Sequence, residues 1–138
     1  MSAGSRLLAA SILLLVVAAC GDDGTGPTGD PQDFSGNYTL VSFAQGNDPP
    51  TPGATGTFTL TATNYQVSIN VPGGVPPQVD DQGNYTAIGT ATSGTWTQES
   101  TVSILQSTGT YAWDASTSRL TLDTTSFGQR SVLVLQRL

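Results

Sequence analysis

The stretch that decides the fold reads Phe58-Thr59-Leu60-Thr61-Ala62, then Thr63-Asn64, then Tyr65-Gln66-Val67-Ser68-Ile69-Asn70-Val71. Apolar and polar residues alternate on both sides of a short polar break. Successive side chains of a strand point to opposite faces, so each half offers one apolar face and one wet face of Thr, Ser and Gln. Two such runs joined by a tight turn make an antiparallel hairpin with one side on a core. Leu120-Thr121-Leu122 repeats the pattern nearer the C-terminus. No apolar stripe at helical spacing follows residue 20.

A second regularity extends the hairpin to the rest of the chain. The unit Gly-x-aromatic, usually followed by Thr, occurs at Gly36-Asn-Tyr38, Gly56-Thr-Phe58, Gly83-Asn-Tyr85, Gly94-Thr-Trp96 and Gly109-Thr-Tyr111. The spacing is too irregular for a solenoid or a propeller. It reads as a strand start, with glycine supplying the turn and the aromatic pointing into a shared interior. The predicted strands cover 36–44, 55–62, 64–71, 84–91, 94–99, 101–107, 109–114, 118–123 and 131–137. Turns fall at 63–64, 92–93, 108–109 and 115–118. Two connections, 45–54 and 72–82, are long and rich in proline. The last strand, Val132-Leu-Val-Leu135, is apolar on both faces, as expected where a strand is covered twice or closes a barrel. The fold class is all-β. Mostly short connections favour an antiparallel up-and-down meander barrel of eight or nine strands, with a β-sandwich as the alternative.

The opening Phe34-Ser-Gly36-Asn-Tyr38-Thr-Leu40-Val-Ser42 resembles the first strand of bacterial lipocalin-like domains. There a Gly-x-Trp or Gly-x-Tyr closes one end of the barrel. The run from Gly94-Thr-Trp96 to Leu120-Thr-Leu122 is similar to their later hairpins. The resemblance implies a barrel over residues 34–138, and an Arg137 that packs over the first-strand aromatic by a cation–π contact. Tyr38 stands where Trp is more usual, and the Thr-Asp-Tyr of classical lipocalins is absent.

The N-terminus carries a different signal. Arg6 precedes LLAASILLLVVA over residues 7–18, apolar but for Ser11. Twelve helical residues reach about 18 Å, against about 30 Å of hydrocarbon, so the run is expected to be the helical core of a signal peptide. It ends in Val17-Ala18-Ala19-Cys20, which resembles the bacterial lipobox. The resemblance implies a signal peptide over 1–19, cleavage before Cys20, and diacyl- or triacylglyceryl modification of that thiol. Several acyl chains hold a protein durably at a bilayer. Gly21, in place of Asp, favours the outer membrane over the inner one. Residues 20–33 continue with Gly, Pro and Asp and no large apolar side chain, the composition of a flexible tether.

Composition narrows the chemistry. The chain has no His, no Lys and a single Cys among 138 residues. A disulfide within the chain, a Cys/His zinc site, a Ser-His-Asp triad, a Cys-His pair and a P-loop lysine are all excluded. No cofactor is expected. After Cys20, ten acidic residues face three arginines. That balance argues against nucleic acid, whose phosphates need Lys or Arg. Asp80-Asp81-Gln-Gly83-Asn reads as a turn rather than a calcium loop, since EF-hand spacing is missing. Glu99 and Asp114 are the carboxylates that a glycosidase-like pair would need to bring together.

A non-enzymatic function follows. The leading expectation is a lipid-anchored envelope protein holding a small apolar ligand in its barrel. Tyr38, Phe58, Tyr65, Tyr85, Trp96, Tyr111 and Trp113 would line the cavity. The alternative is a protein–protein interaction module of the envelope with a filled core.

Overall fold

The computed structural model describes residues 29–138. The expected signal peptide over 1–19 and the expected lipidation site Cys20 lie outside these residues. Nine strands run in chain order: β1 (Asp30–Pro31), β2 (Gly36–Gln45), β3 (Thr55–Leu60), β4 (Asn64–Asn70), β5 (Gln78–Gly89), β6 (Ser93–Ser100), β7 (Gln106–Asp114), β8 (Arg119–Ser126) and β9 (Gln129–Arg137). There is no helix among the described residues. From β2 to β9 each strand pairs antiparallel with the next, and β9 returns to β2. Eight strands therefore close on themselves, and the sandwich alternative falls away. Closure explains β9. Its double-sided apolar run lies between β2 and β8, with Leu135 opposite both Leu40 and Leu120.

Strand alternation places one set of side chains inside. Leu120 and Leu135 are fully buried, and each such leucine contributes about 1.5–3 kcal/mol of burial. Outside, the pattern is Thr, Ser, Asn and Gln. Thr86, Thr97, Thr108 and Thr125 form one outward row across four strands.

The two ends of the barrel differ. Tight turns at 61–63, 90–92 and 115–118 close the near end, where the chain also enters and leaves. The far end carries the 46–54, 71–77 and 101–105 loops and the Phe127-Gly128 turn. Of the expected tether, Gly29–Asp33 are described, and they are not free. β1 pairs with β5 through Asp30 opposite Gly89 and Pro31 opposite Ile88, and the Gln32 amide donates to the Ala87 carbonyl at 2.8 Å.

Three expectations are corrected here. The 84–91 strand begins earlier, because residues 78–82 of the presumed loop belong to β5. Asp80 and Asp81 are thus strand neighbours facing opposite ways, not a turn. The 101–107 and 109–114 strands, with their turn at 108–109, are replaced by a loop at 101–105 and one strand, β7.

Both errors of boundary come from reading glycine as punctuation. A Cβ on Gly83 would lie 1.9 Å from the Glu99 carbonyl oxygen, and one on Gly109 equally close to that of Asp123. These glycines sit inside strands of a tightly coiled barrel, where the neighbouring backbone passes too near for any side chain.

Candidate functional site

The glycine–aromatic units interlock across the inner wall. Gly94 lies opposite Tyr111, and Trp96 opposite Gly109. Gly83 faces Tyr65, and Gly56 faces Ile69. On its other side Trp96 faces Ala87. Tyr65, Trp96 and Tyr111 are thus each matched by a small residue on an adjoining strand, while Tyr38 and Phe58 face one another. Tyr85 stacks on Trp96, with ring centroids 4.4 Å apart and an interplanar angle of 12°. Phe34 caps the near end edge-on to Tyr111 at 4.9 Å.

Of the seven aromatics expected to face a ligand, Tyr38, Phe58, Tyr65, Tyr85, Trp96 and Tyr111 are buried; Trp113 is half-buried and packs against that core. Their polar atoms have partners within the protein. The Tyr38 hydroxyl donates to the Phe34 carbonyl at 2.7 Å, Tyr85 to Thr61 at 2.7 Å and Tyr111 to Thr90 at 2.6 Å. These three bonds fasten the entering segment and two near-end turns to the core. Trp96 Nε1 donates to Gln98 at 3.1 Å. Burial pushes the Tyr85 phenol up to about 12, and those of Tyr38 and Tyr111 upward as well, so all three stay protonated donors at neutral pH. No buried side-chain nitrogen or oxygen among the described residues lacks a hydrogen-bond partner.

Toward the far end the inner wall turns polar, with Asp81, Ser100 and Thr124 buried. Asp81 accepts from the Tyr65 hydroxyl at 2.6 Å and from the Ser100 hydroxyl at 2.5 Å. Burial, and then the bond to Asp81, push the Tyr65 phenol well above its usual value. Ser100 Oγ also accepts the amides of Val102 at 3.2 Å and Ser103 at 3.0 Å. A buried carboxylate therefore holds the 101–105 loop through one serine. Sequence reasoning missed this group, although counting alternate residues back from Tyr85 places Asp81 inside.

Concavities occur on the outer wall. One of about 510 Å³ spans β3, β4 and β5 and is lined by Thr57, Thr59, Gln66, Ser68, Asp80 and Gln82, with Val102 at its edge. Another of about 270 Å³ lies over β5, β6 and β7. Both are open dishes lined mostly by amide and hydroxyl groups, with the Asp80 carboxylate in the first and Glu99 in the second.

The carboxylates do not converge. Glu99 sits toward the far end and accepts from Gln106 at 3.0 Å. Asp114 sits at the near end, where Ser116 and Thr117 donate to it and hold its carboxyl at about 2. Asp123, in β8, pairs with Arg130 at 2.7 Å on the surface. Among the described residues no three His, Cys, Asp or Glu side chains cluster in a way that would hold a metal ion. Arg137 lies opposite Tyr38 in the ladder and donates to the Ser35 carbonyl at 2.5 Å, so it clasps the entering segment.

The class defined by these features is a closed eight-strand antiparallel barrel, consistent with a lipocalin-like fold. No protein-family model matches the chain, and neither a curated protein nor a solved structure matches it.

Proposed function

We propose that this chain is a bacterial lipoprotein: a non-enzymatic module anchored through lipid on Cys20 to the envelope, with the outer membrane favoured, which acts by presenting the surface of a filled barrel to a protein partner. The observation that carries this reading is the interlocked inner wall. Six of the seven aromatics that a calyx would offer to a ligand are packed against glycine, alanine or one another. Their hydroxyls and the Trp96 indole are hydrogen-bonded within the protein. Every buried side-chain nitrogen and oxygen among the described residues already has a hydrogen-bond partner within the protein, which favours a filled interior over a ligand site. What remains available is the outside, where partners are met.

Two measurements test it. Emission from Trp96 and Trp113 should stay unmoved as fatty acids are titrated in, because a filled interior admits none. A saturable shift would favour the apolar-ligand reading instead. In producing cells, Cys20→Ser should abolish membrane retention of the processed chain, since no acyl acceptor remains. Unchanged retention of a cleaved Cys20→Ser chain would remove the anchor from the account.

A further inference from the structure

Large apolar side chains are not scattered evenly over the exterior. Val75, Val79, Val102, Ile104, Leu105 and Phe127 are exposed, and all six belong to the far-end loops or the strand end beside them. Of the other exposed large apolar residues, Val41 stands at the register shift in β2 and Leu138 follows β9 at the near end. The far-end loops alternate with strand pairs around the rim, so Val75, Ile104 and Phe127 crown the mouth from three sides. Val75 is wholly exposed, Ile104 83% and Phe127 74%. Apolar surface concentrated in this way marks a contact site rather than chance exposure.

Phe127 supplies an independent observation. Ser126 pairs with Gln129, so Phe127-Gly128 is a two-residue hairpin turn, with φ of 48° and 79°. Both central residues of such a turn need positive φ, and Asn-Gly or Asp-Gly serve it best. A bulky aromatic is an outlier in that conformation. Its ring gains nothing from the fold, because it projects into solvent. Strain kept at an exposed position points to a use outside the fold.

We propose that this crown is the docking surface, with Phe127 as its anchor, and that its occupant is a protein presenting an apolar face rimmed by Lys or Arg. The proposal rests on the anchored-module reading above and names the surface that module uses. The choice of a protein over a bilayer has two grounds. The chain enters the barrel at Gly29, at the near end, nine residues after Cys20, a span of at most about 30 Å. An anchor there turns the near end to its own membrane and the far end away. The exposed unpaired charges toward the far end are Asp48, Asp80 and Glu99; Asp81 is buried, and Arg130 is paired with Asp123. An acidic rim is repelled by anionic lipid and complements a basic one.

Photocrosslinking from the full chain in producing cells tests this. A benzophenone amino acid replaces Ile104 in one version and Leu138, at the near end, in another. Membrane retention is scored in the same cells. The expected result is a discrete protein adduct from position 104, absent from 138. Adding Phe127→Ser should reduce its yield about tenfold or more, as loss of an interface anchor does. Asp48→Asn with Glu99→Gln should reduce it as well. A lipid adduct, an adduct of two copies of this chain, equal adducts from both positions, or no adduct would each overturn the proposal. If these arise in chains that remain membrane-bound, the anchored-module reading stands and only the docking surface is lost. Chains that are not membrane-bound instead indict the anchor.

Discussion

The near and far ends of this barrel are built from the same strands and obey opposite rules. At the near end three tyrosine hydroxyls and Arg137 tie the turns and the entering segment to the core, and Phe34 closes the opening. At the far end the inner wall turns polar, the 46–54, 71–77 and 101–105 loops lengthen, and valine, isoleucine and phenylalanine face water. The difference teaches where each kind of apolar residue acts. Aromatics inside the wall hold the fold. Apolar residues on the far rim contribute little to it, so their presence needs another cause.

The contrast breaks most sharply at the glycines of the inner wall. Gly109→Val should cost about 3 kcal/mol or more, enough to abolish cooperative unfolding in a denaturant titration, because the new side chain meets the Asp123 backbone. A milder change tests the side-chain fastening of the 101–105 loop. Ser100→Ala leaves Asp81 short of a donor and two loop amides short of an acceptor, and should cost about 1–3 kcal/mol. Hydrogen exchange should quicken at Val102 and Ser103 while the near-end turns stay protected.

On the rim the sign reverses. Phe127→Asn places a residue suited to positive φ in the turn, and should stabilise the protein by up to about 1 kcal/mol in a thermal melt. A loss of stability would mean that the ring supports the fold after all. The smallest effect concerns the near-end turn at Asp114. Its carboxyl sits at about 2, below the ordinary 3.8, because Ser116 and Thr117 donate to the charged form. A depressed value makes its contribution present above pH 4 and lost as pH falls through about 2. NMR titration should place the midpoint there, and Asp114→Asn should remove that part of the acid dependence.

The sequence shows the barrel because alternation is a local signal. Phe58 to Val71 reads as a hairpin with no knowledge of its surroundings, and five glycine–aromatic units fix five inward residues. Barrel closure could be inferred from the double apolar face of Val132–Leu135. What was not legible depends on neighbours. Gly83 and Gly109 look like turn residues alone and become wall residues only beside the Glu99 and Asp123 carbonyls. Asp81 looks solvated until the parity of β5 is known. The strain at Phe127 needs its backbone angles. The facing of Trp96 by Gly109 and Ala87, and of Tyr111 by Gly94, likewise needs the register.

The most direct test is native mass spectrometry of residues 21–138, purified without added lipid. The expected spectrum contains the bare chain mass, unchanged by prior organic extraction, as the proposed filled barrel requires. A reproducible extra mass that extraction removes would contradict the filled barrel and identify the protein as a carrier.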